Sequence, residues 1–320
     1  MQNTSDLLLK AMRYDYPEEI PVSLSFLPAT MKTHGEGILE ILKKHPAFLS
    51  DSWLNYDYNK SLPSSYRQGS FTDPWGCIWQ NEQEGMESYV TGHPLPNRED
   101  ILTLKAPVVD MGFPHGFMYL RLLDLRGFEE AMMDFAEECA ELQILIDKVC
   151  DYNVRQMELC CKNNNSPMIW VGDDLGMQKG VAIGATKWRK YLKPAFKHIY
   201  DVCHQNGKYV YMHTDGDIIE IMQDLVEVGV NIINPQYRAN GIDRLVTTCK
   251  GKIPINIDLD RQLFPFATPK DLHDHVRETV EKLYLPQGGL GINIEIGMDV
   301  PLRNIEAIVD EIDKMRLYKG

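Results

Sequence analysis

The feature that most constrains the fold is a regular alternation of short apolar segments and amphipathic helical patterns, which begins at about Phe128. Five apolar segments occur in succession, and each is followed by a helical pattern: Ile169–Gly172, Tyr209–His213, Asn231–Pro235, Ile253–Asp258 and Gly291–Gly297. Five consecutive βα units predict a parallel sheet, which is either an open doubly wound sheet or a closed barrel.

The distribution of polar residues within the strands distinguishes these two folds. Apolar and polar residues alternate along the last two segments: Ile253, Ile255 and Ile257 against Asn256 and Asp258, and Ile292, Ile294 and Ile296 against Asn293 and Glu295. Strands of an open sheet that helices cover on both faces are apolar almost throughout, whereas a polar face toward a functional centre suits a barrel. No Gly-x-Gly-x-x-Gly motif follows a strand, so the dinucleotide-binding alternative lacks its main support. The sequence therefore predicts an α/β fold, a (β/α)8 TIM barrel.

The first hundred residues have a different pattern. Ile20–Phe26 has the composition of a first barrel strand, but residues 51–107 are rich in Tyr, Trp, Pro and Gly and show little helical periodicity. Such a segment is typical of a lid or an elaborate loop region. We therefore expect a single barrel domain over residues 1–320, with a lid insertion over about residues 51–107.

Composition narrows the classes of protein to which the chain can belong. With 320 residues and 44% hydrophobic content it can bury a full core, and no apolar stretch reaches the roughly 20 residues that span a bilayer. The first residues, Met-Gln-Asn-Thr-Ser-Asp, lack the order of a signal peptide, and seven cysteines without a Cys-x-x-Cys motif indicate reduced thiols, so we expect a cytoplasmic protein. A net charge of -13 disfavours nucleic acid and anionic lipid as partners.

Acidic and imidazole side chains collect at the ends of successive predicted strands: Asp173 and Asp174, His213 and Asp215, Asp258 and Asp260, and Glu295. The carboxyl ends of barrel strands meet at one rim, so these residues are expected to converge on one pocket. Crowded carboxylates with an imidazole are typical ligands of zinc or another divalent cation. The alternative is that several of them cap the following helices, which we favour for Asp173 and Asp260. Glu295, between two isoleucines, requires a partner of some kind.

Two groups of side chains outside the strand ends are also candidates for contact with a substrate. Trp75 and Trp79, with Tyr89, could form an aromatic wall over a substrate, but ordinary packing of a lid against the barrel is the alternative, which we favour. His93 and His115 lie among turn-forming residues, where backbone hydrogen bonding is the alternative to a functional role.

Several motifs distributed over nearly the whole chain resemble those of the uroporphyrinogen decarboxylase superfamily. They are Leu8–Val22, Asp73-Pro-Trp-Gly, His93-Pro-Leu, Gly172-Asp-Asp-Leu-Gly, His213-Thr-Asp-Gly, Asn234-Pro and Pro301-Leu-Arg-Asn-Ile. Within that superfamily they look most like the branch of corrinoid (cobalamin) dependent methyltransferases, which includes O-demethylase components. The resemblance implies a (β/α)8 barrel, in agreement with the strand faces, and a substrate pocket to which Trp75, Trp79, His93, His115, Asn234 and Asp258 would contribute.

Departures from the family pattern bear on the chemistry. The decarboxylases carry an arginine-rich N-terminal motif, whereas the corresponding stretch here, Ser23–Met31, contains no Arg. The thiol methyltransferases of the family hold zinc with a His-x-Cys pair and a later Cys; this chain has His213 and Asp215, with Glu295 near the later position. The resemblance thus implies zinc held by His213, Glu295 and Asp215. Carboxylates in place of thiolates make the metal a harder Lewis acid, which suits a substrate oxygen.

The resemblance implies a zinc-dependent methyltransferase that moves a methyl group from a methylated small molecule, such as an O-methyl ether, to a corrinoid. Asp174 and Asp215 would be the catalytic carboxylates. The sequence has no Asp-x-His-x-x-Gly motif, so the corrinoid is expected on a partner protein. A decarboxylase with another substrate and a non-catalytic binding protein of the same fold remain as alternatives, and the sequence leaves open whether the chain forms a homodimer.

Overall fold

The computed structural model describes residues 4–110 and 113–320; the first three residues of the N-terminal segment considered above lie outside these ranges. The strands in chain order are β1 (Val22–Phe26), β2 (Gly69–Thr72), β3 (Ile78–Asn81), β4 (Tyr89–Gly92), β5 (Met168–Gly172), β6 (Tyr209–Thr214), β7 (Ile232–Pro235), β8 (Ile255–Asp258) and β9 (Leu290–Ile296). Strands β1 and β5 to β9 confirm the segments that the apolar patterns predict.

The α-helices in chain order are α1 (Thr4–Met12), α2 (Pro28–Lys44), α3 (Asp51–Leu54), α4 (Tyr58–Ser61), α5 (Asp100–Thr103), α6 (Tyr119–Arg126), α7 (Phe128–Glu137), α8 (Ala140–Asn163), α9 (Gly184–Lys187), α10 (Lys193–Gln205), α11 (Met222–Glu227), α12 (Tyr237–Asn240), α13 (Ile242–Cys249), α14 (Pro269–Leu283) and α15 (Leu302–Met315). Short 3-10 helices lie at Ser64–Tyr66 and Ile219–Ile221, and a π-helix lies at Trp188–Leu192. Within the described ranges, no helix is both long enough and apolar enough to cross a membrane.

The chain divides into two compact units. Unit 1 comprises the residues up to Gly69, Asn81–Tyr89 and Gln236–Gly320; unit 2 comprises Ser70–Gln80 and Val90–Pro235. Each unit contains three parallel strands connected through helices, so six of the eight strands of the expected barrel lie in parallel pairings within the described ranges. The single-domain organisation over residues 1–320, with residues 51–107 as a lid, stays a prediction.

Unit 1 contains the parallel strands β1, β9 and β8, in that order. The sequence Thr268-Pro-Lys-Asp predicts the start of a helix, with Thr268 as the N-cap and Pro269 in the first turn. The structure confirms this prediction, because the side chain of Thr268 accepts a hydrogen bond from the backbone N–H of Asp271 at the start of α14. The alternation along β9 leaves Glu295 partly exposed between buried isoleucines. The expectation of an open polar face is wrong for β8, because Asn256 and Asp258 are each 1% exposed.

Unit 2 contains the parallel strands β5, β6 and β7, in that order. Helices α8 and α10 pack against each other beside them, and their buried faces include Leu145, Val149, Phe196 and Ile199. The amphipathic pattern near residues 186–206 predicts one helix; in the structure, the π-helix at Trp188–Leu192 separates α9 from α10 in this region. Pro194 lies in the first turn of α10, where its missing N–H interrupts the regular hydrogen-bond ladder.

Candidate metal centre

Three polar or small residues form a row across the strands of unit 2. The parallel register pairs Gly172 of β5 with His213 of β6, and His213 with Asn234 of β7. Side chains at paired positions of neighbouring strands project from the same face of a sheet. His213 and Asn234 therefore lie side by side near the carboxyl ends of their strands, where loop residues after β5 and β6 can join them.

Both nitrogens of the His213 imidazole have a defined partner. Nδ1 lies 2.7 Å from the amide Oδ1 of Asn234, and Nε2 lies 3.1 Å from Oδ1 of Asp215. Because an amide oxygen accepts but does not donate, Nδ1 carries the proton of the first hydrogen bond. Nε2 is consequently the nitrogen that faces the carboxylates, and it can hold a proton or a metal ion there.

A second imidazole, that of His115, binds Asp174, the second of the two carboxylates that follow β5. Nε2 of His115 lies 3.0 Å from Oδ1 of Asp174. Burial alone would lower the pKa of His115, but the hydrogen bond and the charge of Asp174 act in the opposite direction, so the pKa is raised. Burial would likewise raise the pKa of Asp174, but the hydrogen bond from His115 outweighs it and the pKa is lowered. In both cases the interaction favours the charged form of the group, the imidazolium of His115 and the carboxylate of Asp174.

Gly172 allows His115 to occupy this position. A Cβ atom at residue 172 would lie 2.4 Å from Nδ1 of His115, closer than any real contact between such atoms. The backbone N–H of Gly116 also donates to the carbonyl of Gly172 at 2.8 Å, which fixes the loop that carries His115 against β5. The site therefore needs a residue without a side chain at the end of β5.

The loops after β5 and β6 cross in backbone contact at two glycines. A Cβ atom at Gly216 would lie 2.1 Å from the carbonyl carbon of Gly176, and Gly216 has a positive φ of 83°. Backbone hydrogen bonds from Gly176 to Asp215, at 3.0 Å, and from Asp217 to Met177, at 2.8 Å, connect the two loops. The crossing holds the residues just before it, Asp174 and Asp215, at a fixed separation.

Three side chains converge at this crossing and can hold a metal ion. One ligand atom from each of Asp174, His213 and Asp215 lies within 4.8 Å of the other two, and the backbone N–H of Asp215 donates to Oδ1 of Asp174 at 3.1 Å. Two carboxylate oxygens and one imidazole nitrogen form a donor set that zinc accepts, and catalytic zinc sites commonly use three protein ligands with a further position open. The residues therefore fit the metal that the family resemblance implies.

Asn234 is expected to control zinc affinity without binding zinc itself. Replacing Asn234 by Ala removes the acceptor that orients His213, so zinc affinity should fall by about 10- to 100-fold. Isothermal titration with zinc measures this change, and Asn206→Ala, at an exposed position at the end of α10, is the matched control. Equal zinc affinity in Asn234→Ala and the wild-type protein would show that the hydrogen bond does not support the ligand.

Asp173, adjacent to Asp174, serves the fold. Its carboxylate accepts hydrogen bonds from the backbone N–H groups of Met118 at 3.1 Å, Tyr119 at 2.5 Å and Leu120 at 2.9 Å, which lie at the start of α6. The sequence predicts that Asp173 caps the helix that follows it or lies in a solvated loop; instead, Asp173 is buried and caps α6, which precedes β5 in the chain. Burial raises the pKa of Asp173 to about 7, although the three hydrogen bonds favour the ionised form.

The two tryptophans predicted to form an aromatic wall lie around Asp73. Nε1 of Trp79 donates to Oδ2 of Asp73 at 3.1 Å, and the same oxygen accepts from Nη1 of Arg121 at 2.7 Å. Trp75 is buried and packs edge-on against Tyr152, with ring centroids 4.9 Å apart. These contacts are those of ordinary packing, the alternative that the sequence left open, and substrate contact by Trp75 and Trp79 stays a prediction.

His93 is bound to the backbone, as its position among turn residues suggested. Its Nδ1 lies 2.7 Å from the carbonyl oxygen of Asp124. Burial raises the pKa of the Asp124 carboxyl to about 6, although Arg121, 3.6 Å away, acts in the opposite direction. A substrate contact by His93 stays a prediction.

The two predicted site residues of unit 1 share an arginine. Arg261 pairs with Glu295 through Nη1 and with Asp258 through Nε, at 2.5 and 3.0 Å, and Asn293 donates to Asp258 at 2.9 Å. The sequence required a partner for Glu295, and in the structure that partner is Arg261. One guanidinium thus bridges the two carboxylates and gives each of them a positively charged partner. Metal binding by Glu295 and substrate contact by Asp258 stay predictions.

The structure adds residues that reasoning from the sequence did not assign to the metal centre. Asp174 was expected to act in catalysis and Asn234 to bind substrate; here Asp174 lies within the ligand cluster and Asn234 orients His213. The glycines at positions 172, 176 and 216 were noted only as parts of motifs. Their signal in the sequence is that each adjoins or closely follows an acidic residue at a strand end, where close backbone contact is common.

Comparisons with known proteins agree with this fold. No curated protein matches the sequence. One solved structure, a methyltransferase from Methanosarcina mazei, superposes with a TM-score of 0.62 at 15% sequence identity, over 96% of this chain and 97% of that chain. At that identity the likeness shows the fold alone. The family model described as uroporphyrinogen decarboxylase (URO-D) matches residues 122–315, a span that includes α8 to α15 and all three residues of the candidate metal centre. The chain has the α/β fold of a TIM barrel and belongs to the uroporphyrinogen decarboxylase family.

Proposed function

We propose that this protein is a zinc-dependent methyltransferase that transfers a methyl group from a methylated small molecule to a corrinoid carried by another protein. The observation that carries the proposal is the convergence of Asp174, His213 and Asp215 at one point of unit 2. A methyltransferase of similar fold supports it, since it shows that the fold accommodates methyl transfer. Zinc is argued from the donor set of the site, whereas the corrinoid partner and an O-methyl ether as donor follow from the resemblance of the sequence to the corrinoid-dependent branch of the family.

The two carboxylates of the site are expected to be more stable with a divalent cation bound between them than without one. Asp174 and Asp215 bring two negative charges close together; protonated His115 can offset one of them, and a bound cation would offset the other. Zinc held by Asp174, His213 and Asp215 would supply a Lewis acid that stabilises negative charge on the oxygen from which the methyl group departs.

The protein's own groups hold this arrangement before a substrate arrives. Asn234 fixes the ring of His213, and His115 with the backbone N–H of Asp215 fixes the carboxylate of Asp174. Prealigned groups do not have to reorganise during the reaction, which is the main source of electrostatic catalysis. Asp174 and Asp215 would thus act on the leaving oxygen through the metal that they would hold, because an ionised carboxylate has no proton to donate to it.

The corrinoid is a substrate of this reaction, bound by its own carrier protein. The bond between the methyl carbon and the oxygen breaks, its electron pair stays on the oxygen, and the reduced corrinoid supplies the electron pair of the new bond to the methyl group. The region over residues 51–107, which contains α3 to α5 and β2 to β4, is the part of the chain that we propose to contribute a lid and the docking surface.

A decarboxylase that binds the carboxylate groups of its substrate would need arginines that are not already in ion pairs with the protein's own carboxylates. In unit 1, Arg261 already pairs with Glu295 and Asp258, and in unit 2 Arg121 pairs with Asp73. A substrate carboxylate would have to compete with these ion pairs, each of which has at least one partly or fully buried member. The arrangement therefore favours methyl transfer.

An assay with free cobalamin tests the proposal directly. Zinc-loaded protein, cob(I)alamin and a panel of O-methyl compounds with isotopically labelled methyl groups are combined under reducing conditions, and we expect labelled methylcobalamin in the absorption and mass spectra. Asp215→Asn should reduce its formation, because that variant removes a ligand charge. Release of carbon dioxide from carboxylated analogues, without methylcobalamin from any methyl donor, would instead identify a decarboxylase. The absence of both products, with free cobalamin and with corrinoid carrier proteins alike, would indicate a binding protein.

A further inference from the structure

Three sulfur atoms meet between α8 and α10 of unit 2. The Sγ atoms of Cys161 and Cys203 lie 3.9 Å apart, and Sγ of Cys203 lies 3.5 Å from Sδ of Met157. Met157 and Cys161 are four residues apart on α8, so their side chains project from the same face of that helix. All three side chains are buried. We call Met157, Cys161 and Cys203 the sulfur cluster; it brings two thiols and one thioether together out of contact with bulk water.

The sulfur cluster lies at the other end of β5 and β6 from the candidate metal centre. Helix α8 leads into β5 and α10 leads into β6, and the two cysteines belong to the last turns of these helices. The cluster is therefore near the amino ends of the strands, whereas the carboxyl ends of the same strands carry the candidate metal centre. Strands of five and six residues span about 17 to 20 Å, so a ligand bound at one group does not reach the other.

The separations of the sulfur atoms are compatible with one bound ion. A bond between a metal ion and a thiolate is about 2.3 Å long, and three such bonds in one plane place the sulfur atoms about 4 Å apart. The distances in the sulfur cluster, 3.9 and 3.5 Å, differ from this value by about half an ångström or less. Sulfur atoms in simple van der Waals contact have similar separations, so the assignment depends also on donor chemistry and on charge.

The donor atoms of the sulfur cluster select a soft cation. Among the residues that the structure describes, no third thiol, imidazole or carboxylate completes a ligand group with Cys161 and Cys203. The third donor is therefore the thioether of Met157. Thiolates and thioethers are the ligands that select Cu(I), whereas structural zinc takes four thiolate, imidazole or carboxylate ligands and magnesium and calcium take oxygen ligands. The donor set thus fits Cu(I) better than zinc, magnesium or calcium.

Lys208 supplies a positive charge beside the sulfur cluster. Its Nζ donates to the carbonyl oxygens of Asn164 and Ser166 at 2.8 and 2.7 Å, and its backbone N–H donates to the carbonyl of Cys203 at 3.0 Å. Burial raises the pKa of both thiols of the cluster, and the charge of Lys208 acts in the opposite direction. Two thiolates with one monovalent cation carry a net negative charge, and the nearby ammonium group offsets it.

We propose that Met157, Cys161 and Cys203 form a binding site for one thiophilic monovalent cation, Cu(I), separate from the candidate metal centre and independent of the proposed function. On binding, the two thiols release their protons to water and the ion forms one bond to each of the three sulfur atoms. These bonds connect α8 to α10, the two helices that pack together beside β5 and β6. Since the ion binds the folded chain, it should raise the melting temperature of the protein.

Titration with Cu(I) tests the site, under anaerobic reducing conditions and in competition with the chromophoric chelator bicinchoninate. Zinc is present throughout, to occupy the candidate metal centre. We expect wild-type protein to bind one Cu(I) per chain, with sulfur ligands at about 2.3 Å in X-ray absorption. Met157→Leu keeps the volume of the side chain but removes the thioether, so it should weaken binding by about tenfold. Cys203→Ala should abolish binding.

The matched control is Cys160→Ser, which removes the thiol adjacent to Cys161 but on another face of α8, and it should bind Cu(I) like the wild type. Wild-type affinity in Cys203→Ala would overturn the assignment, as would nitrogen or oxygen ligands in X-ray absorption. If circular dichroism shows that Cys203→Ala is unfolded, Met157→Leu decides, and unchanged affinity in that variant would refute the site. Loss of two hydrogen atoms by mass, without bound copper, would identify a disulfide-forming pair instead.

Discussion

Replacing His213 by Ala is expected to abolish stoichiometric zinc binding while the protein remains folded. His213 supplies the nitrogen of the ligand cluster, and without it two carboxylates remain. One of them, Asp174, already accepts hydrogen bonds from His115 and from the backbone N–H of Asp215. Zinc content after dialysis, measured by plasma emission spectrometry, gives the result. Circular dichroism reports whether the fold is retained, and it should be, since the His213 side chain is partly exposed at a strand end rather than in the apolar core.

The matched control for this variant is His198→Ala, which removes an exposed imidazole from α10. It should leave zinc content unchanged. If His213→Ala retained one equivalent of zinc, the metal centre assigned to unit 2 would be refuted, and ligands elsewhere, with Glu295 as the first candidate, would have to be sought. If both variants lost zinc, the loss would not be specific to the cluster, and the assignment would fail as well.

Replacing Gly216 by Ala is expected to damage both stability and zinc binding. The added Cβ would lie 2.1 Å from the carbonyl carbon of Gly176, and the positive φ of 83° is a backbone conformation that alanine adopts with strain. Backbone atoms cannot move aside as a flexible side chain does, so the loops after β5 and β6 must separate. We expect the free energy of unfolding to fall by about 4 kcal/mol, with a weakened affinity for zinc.

Gly207 provides a control that separates the effect of backbone strain from the effect of a steric clash between the two crossing loops. It has a positive φ of 68°, but a Cβ atom there would have no neighbour within 4 Å. Gly207→Ala should therefore cost about 1 kcal/mol in chemical denaturation and leave zinc affinity unchanged. Equal effects of the two variants on stability and zinc affinity would show that the crossing of the loops does not position the ligands.

The positions of the strands and most helices could be predicted because apolar periodicity is a local property of the sequence. Strand β6 and helix α13 appear where their patterns indicate, and Thr268 begins α14 through its own side chain. Asp217 and Glu220 have the spacing of a capping box, which predicts that a helix begins at Asp217, but this prediction is wrong. A 3-10 helix forms at Ile219–Ile221, and the Glu220 carboxylate accepts a hydrogen bond from Val181. The Glu220 side chain therefore makes a tertiary contact with Val181 instead of the local capping hydrogen bond that the motif requires.

The metal centre could be predicted only in part. His213 and Asp215 are two residues apart at the end of one strand, so their proximity follows from strand geometry. Asp174 joins them because two loops cross at glycines, and His115 joins because Gly172 leaves space for its ring. Both contacts are possible only because glycines, which have no side chain, let another segment of the chain approach the backbone closely. Apolar periodicity predicts the positions of side chains, but it does not predict which glycines will be in contact with another segment.

Asp173 and Asp174 show how closely the architecture and the candidate chemistry are connected. One carboxylate accepts the first backbone N–H groups of α6, and its covalent neighbour contributes to the metal centre. The two residues follow the last residue of β5 directly, so the backbone between them has little freedom to separate these roles. If a bound ligand displaced Asp174, the peptide bond to Asp173 and the hydrogen bonds of Asp173 would transmit the displacement to the start of α6. The position of α6 could therefore depend on whether a ligand is bound, although the helix does not contact the ligand.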